Sequence, residues 1–363
     1  METPIKQTAG IDCGMQELVV SFGILTGDGT FICKLTKVFA NTAKGFQQLL
    51  QWINEVSSKE TAVLYAMEAT GVYYEKLAYY LVANDCHVSI VLPNKINAFA
   101  KTCTSKKQDD QQASKVLCEF GCVKHVDEWQ PPHPLFAALK QLTREKHQLQ
   151  QELVIIKNQL HAEQTKAITA SASIKRMKAR CRLIEKQIAE VEKEIIDTLN
   201  DDAAIKEKIN KICTIPGVGL STAVTVIAET NGFNLIRNAR QLVSYAGLDV
   251  VQKQSGISVK GRAHISKKGN PHLRHCLHLP SFVAVKYNLP MQQLHHRIVE
   301  KQAIKMKAYV AVQRKMLMLI YTLWKKNEAY NPSIKFNEAY NPSIKFLEQP
   351  VEAALTELDY IRS

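Results

Sequence analysis

The rhythm of hydrophobic and polar positions changes along the chain, and each change predicts a different kind of element. From Gly10, "GIDCGMQELVVSFGIL", "TGDGT" and "FICKLTKVFA" give two β-rich runs around a Gly/Asp turn, the pattern of a hairpin. "NTAKGFQQLLQWINEV" spaces its apolar residues as a helix does, with Asn41 or Thr42 as N-cap. "TAVLYAMEATGVYY" reads as a buried strand ending at Glu68, with Gly71 opening the next helix, and "HVSIVLP" as a further short strand. These elements predict a mixed α/β domain over residues 1–125.

Downstream the period lengthens. Leu142, Leu149, Leu153, Ile156 and Leu160 follow a four-three heptad rhythm with Lys146 in one seam position, and Cys181, Ile184, Ile188, Val191 and Ile195 repeat it. Two long helices joined near "ITASASI" therefore occupy residues 126–205, either as a helical hairpin of one chain or as a dimerising coiled coil. Residues 206–326 read as mainly helical. There Pro216-Gly217-Val218-Gly219 lies between two helical patterns and resembles a helix-hairpin-helix. In that reading Gly217 and Gly219 let backbone N–H groups approach a phosphate; a tight interhelical turn is the plainer alternative. The tail, 327–363, carries "NEAYNPSIKF" twice in succession, at 327–336 and 337–346, too few copies for a repeat architecture.

Composition adds a partner to this outline. With 363 residues and 46% apolar content the chain can bury a sizeable core, and its net charge of +13 favours a polyanion, since neutralised phosphates release counterions. Lys253, Lys260, Arg262, Lys267, Lys268 and Arg274 crowd one Gly-broken loop, a candidate nucleic-acid surface. Nine cysteines with no leader ahead of them point to a reducing cytoplasm rather than a disulfide framework, with Cys118 and Cys122 as buried thiols. No apolar run is long enough to span a bilayer, so no membrane partner is expected.

Asp12 lies in an apolar strand, where an unpaired carboxylate is costly, and Glu68 ends another. If the two strands are neighbours, both carboxylates project at one sheet edge, and a helix beginning near residue 108 brings Asp109 beside them. Carboxylates so clustered repel one another unless divalent cations bridge them, as in two-metal phosphoryl transfer, and oxygen ligands select Mg²⁺ or Mn²⁺ over zinc.

Taken in order, "GIDCG", "MEATGVYYEKLAYYL", "LPNKINAFAK", "KKQDDQQASKVL", "IPGVGLSTAVTVIAE", "LVSYAGLDVVQKQSGISVKGRAHISKKGNPHLR" and "YVAVQRKMLMLIYTLW" resemble the DEDD transposases of bacterial insertion sequences, relatives of the Piv and MooV invertases. The resemblance covers nearly the whole chain. It implies a RuvC-like domain of RNase H fold, a coiled-coil segment and a mainly helical C-terminal transposase domain. It further implies recombination of donor and target DNA under the direction of a structured non-coding bridge RNA, in the bacterial cytoplasm. Carried over, Asp12, Glu68 and Asp109 would hold Mg²⁺, and Ser255 in "KQSGIS" would attack the DNA backbone, leaving a phosphoserine link and a free 3′ hydroxyl. Ser258 and Ser266 lie close enough in sequence to compete for that role. Because the acids and the serine are far apart in sequence, a homo-oligomer (dimer or tetramer) is expected, one subunit's serine serving another's metals.

One departure from the family pattern stands out. Its third block normally carries two acids at i, i+3, and here Gln112 stands where the second belongs, with Asp110 one residue after Asp109. An amide oxygen can ligate Mg²⁺ but brings no negative charge. Two rival readings follow: a RuvC-like nuclease that uses water, and a catalytically inactive transposase remnant that retains its grip on nucleic acid.

Overall fold

A computed structural model describes residues 4–69, 71–103, 109–234, 236–252, 254–255, 259–261 and 263–332. Lys253, Arg262, Ser258 and the second copy of the duplicated decapeptide lie outside the described residues, as do the side chains of Ser255 and Lys260. The chain forms two compact units, 1–131 and 132–363.

In the first unit the elements run β1 (Lys6–Cys13), β2 (Glu17–Leu25), β3 (Phe31–Ala40), α1 (Ala43–Val56), β4 (Val63–Glu68), α2 (Glu75–Ala83), β5 (His87–Val91), α3 (Pro93–Ala100) and α4 (Asp110–Val123). The sheet order is β3-β2-β1-β4-β5. β1, β2 and β3 are an antiparallel meander, whereas β4 pairs parallel with β1 and β5 parallel with β4. This mixed order is the RNase H-type topology implied by the sequence resemblance, in a first unit followed by a mainly helical second one.

The first β-rich run differs from its sequence reading. It divides into two strands at Gly14, whose N–H donates to the Glu17 carbonyl, so a three-stranded meander replaces the single hairpin. The helix after "MEATG" begins at Glu75 rather than at Gly71, which has φ +62° and serves a turn. α1 is capped as expected by Thr42, whose side chain accepts from Gly45 N–H. Residues 126–131 belong to this unit: Trp129 N–H donates to the Val88 carbonyl and Ser89 Oγ to that of Asp127.

Alternation along β1 sorts its residues between two layers. Ala9 and Ile11 are fully buried in the main apolar core with Met67, Leu49, Ile53 and Leu77, the last three from α1 and α2. Thr8, Gly10 and Asp12 face the opposite way, toward α4. A Cβ on Gly10 would lie 2.1 Å from Cys118 N and 2.3 Å from Ser114 O, so α4 crosses in direct backbone contact with β1.

The second unit holds α5 (Pro134–Thr165), α6 (Ser171–Asn200), α7 (Ala203–Cys213), α8 (Leu220–Glu229), α9 (Ala239–Tyr245), β6 (Val250–Val251), β7 (Gln254–Ser255), β8 (Val259–Lys260), β9 (His264–Ile265), α10 (Pro271–Cys276), α11 (His278–Tyr287), α12 (Leu289–Gln302) and α13 (Lys305–Lys326). α5 and α6 form an antiparallel hairpin inside one chain: Lys146 pairs with Glu192 and Lys157 with Glu185, so partner numbers fall on one helix as they rise on the other. Ile156, Cys181 and Ile184 make a small core at the distal end of the hairpin. Its base shares a core with the helices that follow, through Phe136, Leu139, Leu142, Val191 and Ile195. Among the described residues no helix is long and apolar enough to cross a membrane.

Candidate active site and nucleic-acid surface

Parallel pairing of β1 with β4 puts Ile11 opposite Met67, so Asp12 and Glu68 stand one residue further along each strand, at adjacent strand ends on one sheet edge. Both are half-buried. The third component arrives on α4, whose direction is fixed by its contacts with β1. Cys118 Sγ donates to the Thr8 carbonyl, Ser114 lies over Gly10, and the buried Ser114 and Ser21 hydroxyls bond at 2.8 Å. α4 therefore runs antiparallel to β1, and Asp110, one turn before Ser114 on the same stripe, falls at the Asp12 end.

Electrostatics agree with that placement. The Asp12 carboxyl is raised above its ordinary value, first by burial, then by the charges of Asp110 and Glu68, with the Cys13 N–H opposing them. Asp109 has another employment. It is the N-cap of α4, and its Oδ1 accepts from Gln112 N–H at 2.7 Å. Gln112 lies two residues from Asp110, about 200° around the helix from the stripe that faces the sheet.

Asp12, Glu68 and Asp110 are thus brought within electrostatic reach of one another, and Asp110 is the member that sequence reasoning placed second. Its signal was present: Ser114, Cys118 and Gly121 are small residues at helical spacing from Asp110, the stripe on which a helix can approach a strand closely. All the donors are carboxylate oxygens, the chemistry of Mg²⁺ or Mn²⁺. Among the described residues no three His, Cys, Asp or Glu side chains stand close enough together to hold one ion, so the carboxylates would have to draw inward to share one.

In the second unit Ser255 lies on β7, paired with Val259 on β8. Val250 and Val251 of β6 pair with Ile265 and His264 of β9, a separate two-stranded ladder that brackets Ser255 in sequence. Next to the β6–β9 ladder Ser266 Oγ donates to the Asp249 carboxylate, which occupies the hydroxyl of that competing serine. Lys267 and Lys268 are exposed beside it, as a nucleic-acid surface requires.

Two other expected contact residues have structural duties. The Arg274 Nη1 donates to the carbonyls of Ala246, Gly269 and Asn270, tying the loop to α10 rather than facing solvent. Gly217 has φ +98°, and a Cβ there would meet the Pro280 carbonyl and Ala284 N, each at 2.9 Å, so it permits close packing of α11. Gly219, the N-cap of α8, has nothing within 4 Å of its Cβ position and remains open to an approaching group.

Comparison with known proteins matches the chain in two stretches. Residues 9–165 match a transposase family model of the DEDD type, and residues 209–296 match the model of the transposase IS116/IS110/IS902 family. The chain is 29% identical over 318 residues to the pilin gene-inverting protein of Moraxella bovis, covering 85% of this chain and 95% of that protein. Its counterpart in Moraxella lacunata is also 29% identical, over 302 residues, with coverage of 82% and 90%. Among solved structures, RuvC of Thermus thermophilus aligns with 34% of this chain and 99% of its own, at 11% identity and a TM-score of 0.27.

Proposed function

We propose that this chain, which matches transposase family models of the DEDD type and of the IS116/IS110/IS902 family, cuts and rejoins DNA with Asp12, Glu68 and Asp110 as the acids of its metal site and Ser255 as its nucleophile. What carries this reading is the crossing of α4 over Gly10, which sets Asp110 at the Asp12 end of β1. Asp110 then supplies the negative charge that Gln112 lacks, and Asp109 supports the site by fixing where α4 begins.

Mg²⁺ or Mn²⁺ bound there would polarise a phosphoryl oxygen and stabilise the charge that develops on the leaving oxygen. Asp12, Glu68 and Asp110 would hold the ion, and the repulsion that raises the Asp12 carboxyl is what such binding relieves. In the cutting step the Ser255 Oγ bonds to phosphorus, the bond from phosphorus to the 3′ oxygen breaks, and the serine proton is passed on so that a 3′ hydroxyl is left. The phosphoserine ester retains the phosphodiester energy, and attack by a 3′ hydroxyl rejoins the strand and returns the proton to serine. Donor and target DNA are the substrates, with a structured bridge RNA as guide and a homo-oligomer as the working form.

A recombination assay with the element's flanking RNA and Mg²⁺, read on denaturing gels, tests this. Wild type gives a covalent protein–DNA adduct, Ser255→Ala gives neither adduct nor product, and Gln112→Asp changes little because Asp110 already serves. Cleavage that survives Ser255→Ala would establish the water-using nuclease instead. Nucleic-acid binding with no cleavage by wild type would establish the inactive remnant.

A further inference from the structure

A cavity of about 270 Å³ lies in the second unit, walled by α5, one face of α8, α10 and the start of α11. Its lining is unusual for a helical core. His147 stands with its ring centroid 4.1 Å from that of His275 and 5.7 Å from that of His272. Lys146 Nζ donates to Ser221 Oγ at 3.1 Å, and Thr222 completes the wall at the first turn of α8. We infer that this cavity is a binding pocket for a phosphodiester group of a nucleic-acid backbone, built from residues other than the carboxylates and Ser255.

The argument is one of donors without employment. The backbone N–H groups of Leu220, Ser221 and Thr222 open α8 and have no carbonyl four residues back, and Gly219 offers no side chain to cap them. The side-chain nitrogens of His272 and His275 have no hydrogen-bond partner among the described residues. His147 Nε2 is paired only with Gln151 on its own helix. Open hydroxyls, helix-end N–H groups and imidazoles around a cavity suit a tetrahedral oxyanion, which accepts from all three.

Every charged group facing the cluster is accounted for. From α5, Arg144 is bidentate on Glu229 of α8, at 2.7 and 3.0 Å, and Lys146 is paired with Glu192 of α6 at 2.9 Å. Lys140 of α5 acts on Glu229 and His272, and His278 of α11 acts on His275. The fixed charges thus nearly cancel, and the pocket's sign is left to its histidines. Burial holds His147, His272 and His275 below the ordinary histidine value; at His272 the Glu229 charge opposes it and Arg144, His275 and Lys140 add to it, and at His147 and His275 neighbouring histidines add to it. They are neutral near pH 7, and a bound phosphate favours their protonation. Binding therefore takes up protons and tightens as pH falls.

This rests on the reading that the chain handles nucleic acid, but it does not need Ser255 chemistry, so the test uses binding alone. The full chain is titrated into a labelled DNA duplex at fixed salt between about pH 8 and about pH 6. Wild type binds more tightly as pH falls, and His147→Gln with His275→Gln weakens binding by about tenfold at the acid end and flattens the pH slope. An unchanged slope in a folded double variant overturns the proposal. Should that variant fail to fold, the imidazole resonances of wild type give the same answer: upward-shifted titrations of the cluster on adding duplex support it, and unmoved ones overturn it. A parallel titration with inorganic phosphate separates the two sources of the ligand. If phosphate shifts these resonances and duplex does not, the pocket serves a free anion and the backbone assignment fails.

Discussion

Asp12 and Glu229 are both carboxylates in protein interiors, and their surroundings push them in opposite directions. Asp12 has acidic neighbours and is raised. Burial would raise Glu229 as well, but the hydrogen bonds of Arg144 and Asn270 and the charges of Arg144 and Lys140 outweigh it and hold Glu229 low. The second unit spends its buried carboxylate on architecture, with Arg144 bidentate, Asn270 Nδ2 at 2.7 Å and the Tyr245 hydroxyl on its backbone carbonyl. In the first unit burial and the charges of Asp110 and Glu68 prevail over the Cys13 N–H and leave Asp12 raised. A satisfied acid braces a fold, whereas acids set against one another wait for a cation.

The sharpest way to break that contrast is Asp12→Asn. DNA cleavage should fall by at least about a hundredfold, while stability holds or rises by up to about 1 kcal/mol because a repulsion is removed. A urea titration showing a large stability loss would make Asp12 a structural acid like Glu229. The mirror experiment is Glu229→Gln, which weakens the hydrogen bonds that Arg144 and Asn270 make to the carboxylate and should cost about 1.5 kcal/mol in urea unfolding. Next comes the third block: Asp110→Asn should lower cleavage by about tenfold or more, and Gln112→Ala should leave it near wild type. Equal losses in both would place the functional acid elsewhere on α4.

The smallest effect is the pH dependence of stability. Glu229 is held low, so its contribution is complete above the unfolded carboxyl value of about 4.3 and is lost as pH falls through its folded value. Asp12 is raised, so it costs stability at neutral pH, and that cost vanishes below its unfolded value of about 3.9. His147, His272, His275 and the buried His295, neither of whose ring nitrogens is partnered, are all lowered. Their contribution is complete above about pH 6.5 and falls away below it. The unfolding midpoint should therefore drop between about pH 7 and about pH 5, less so with saturating duplex DNA present.

Much of this was legible in the sequence, for identifiable reasons. Apolar strands that end in an acid announced Asp12 and Glu68, and heptad spacing announced α5 and α6. Whether those helices pair within one chain depends on partners far apart in sequence, such as Lys146 and Glu192, which periodicity does not contain. Which acid of "DDQQ" shares the sheet-facing stripe depends on a single residue of helix start: Asp109 as N-cap puts Asp110 in line with Ser114 and Cys118 and Gln112 out of line with them. The structural duties of Arg274 and Gly217 were not legible, because a cation and a glycine look the same in a loop whether they meet a phosphate or a carbonyl.

Gly10 has a consequence for how such a site can be tuned. It acts as a spacer of zero thickness between strand and helix, and the distance it sets is the distance across which the acids act. Adding one carbon, about 1.5 Å of bond, would reset that gap without touching any ligand. Alanine at this position is thus a calibration screw for metal spacing: the charges stay the same while the jaw that carries Asp110 is opened.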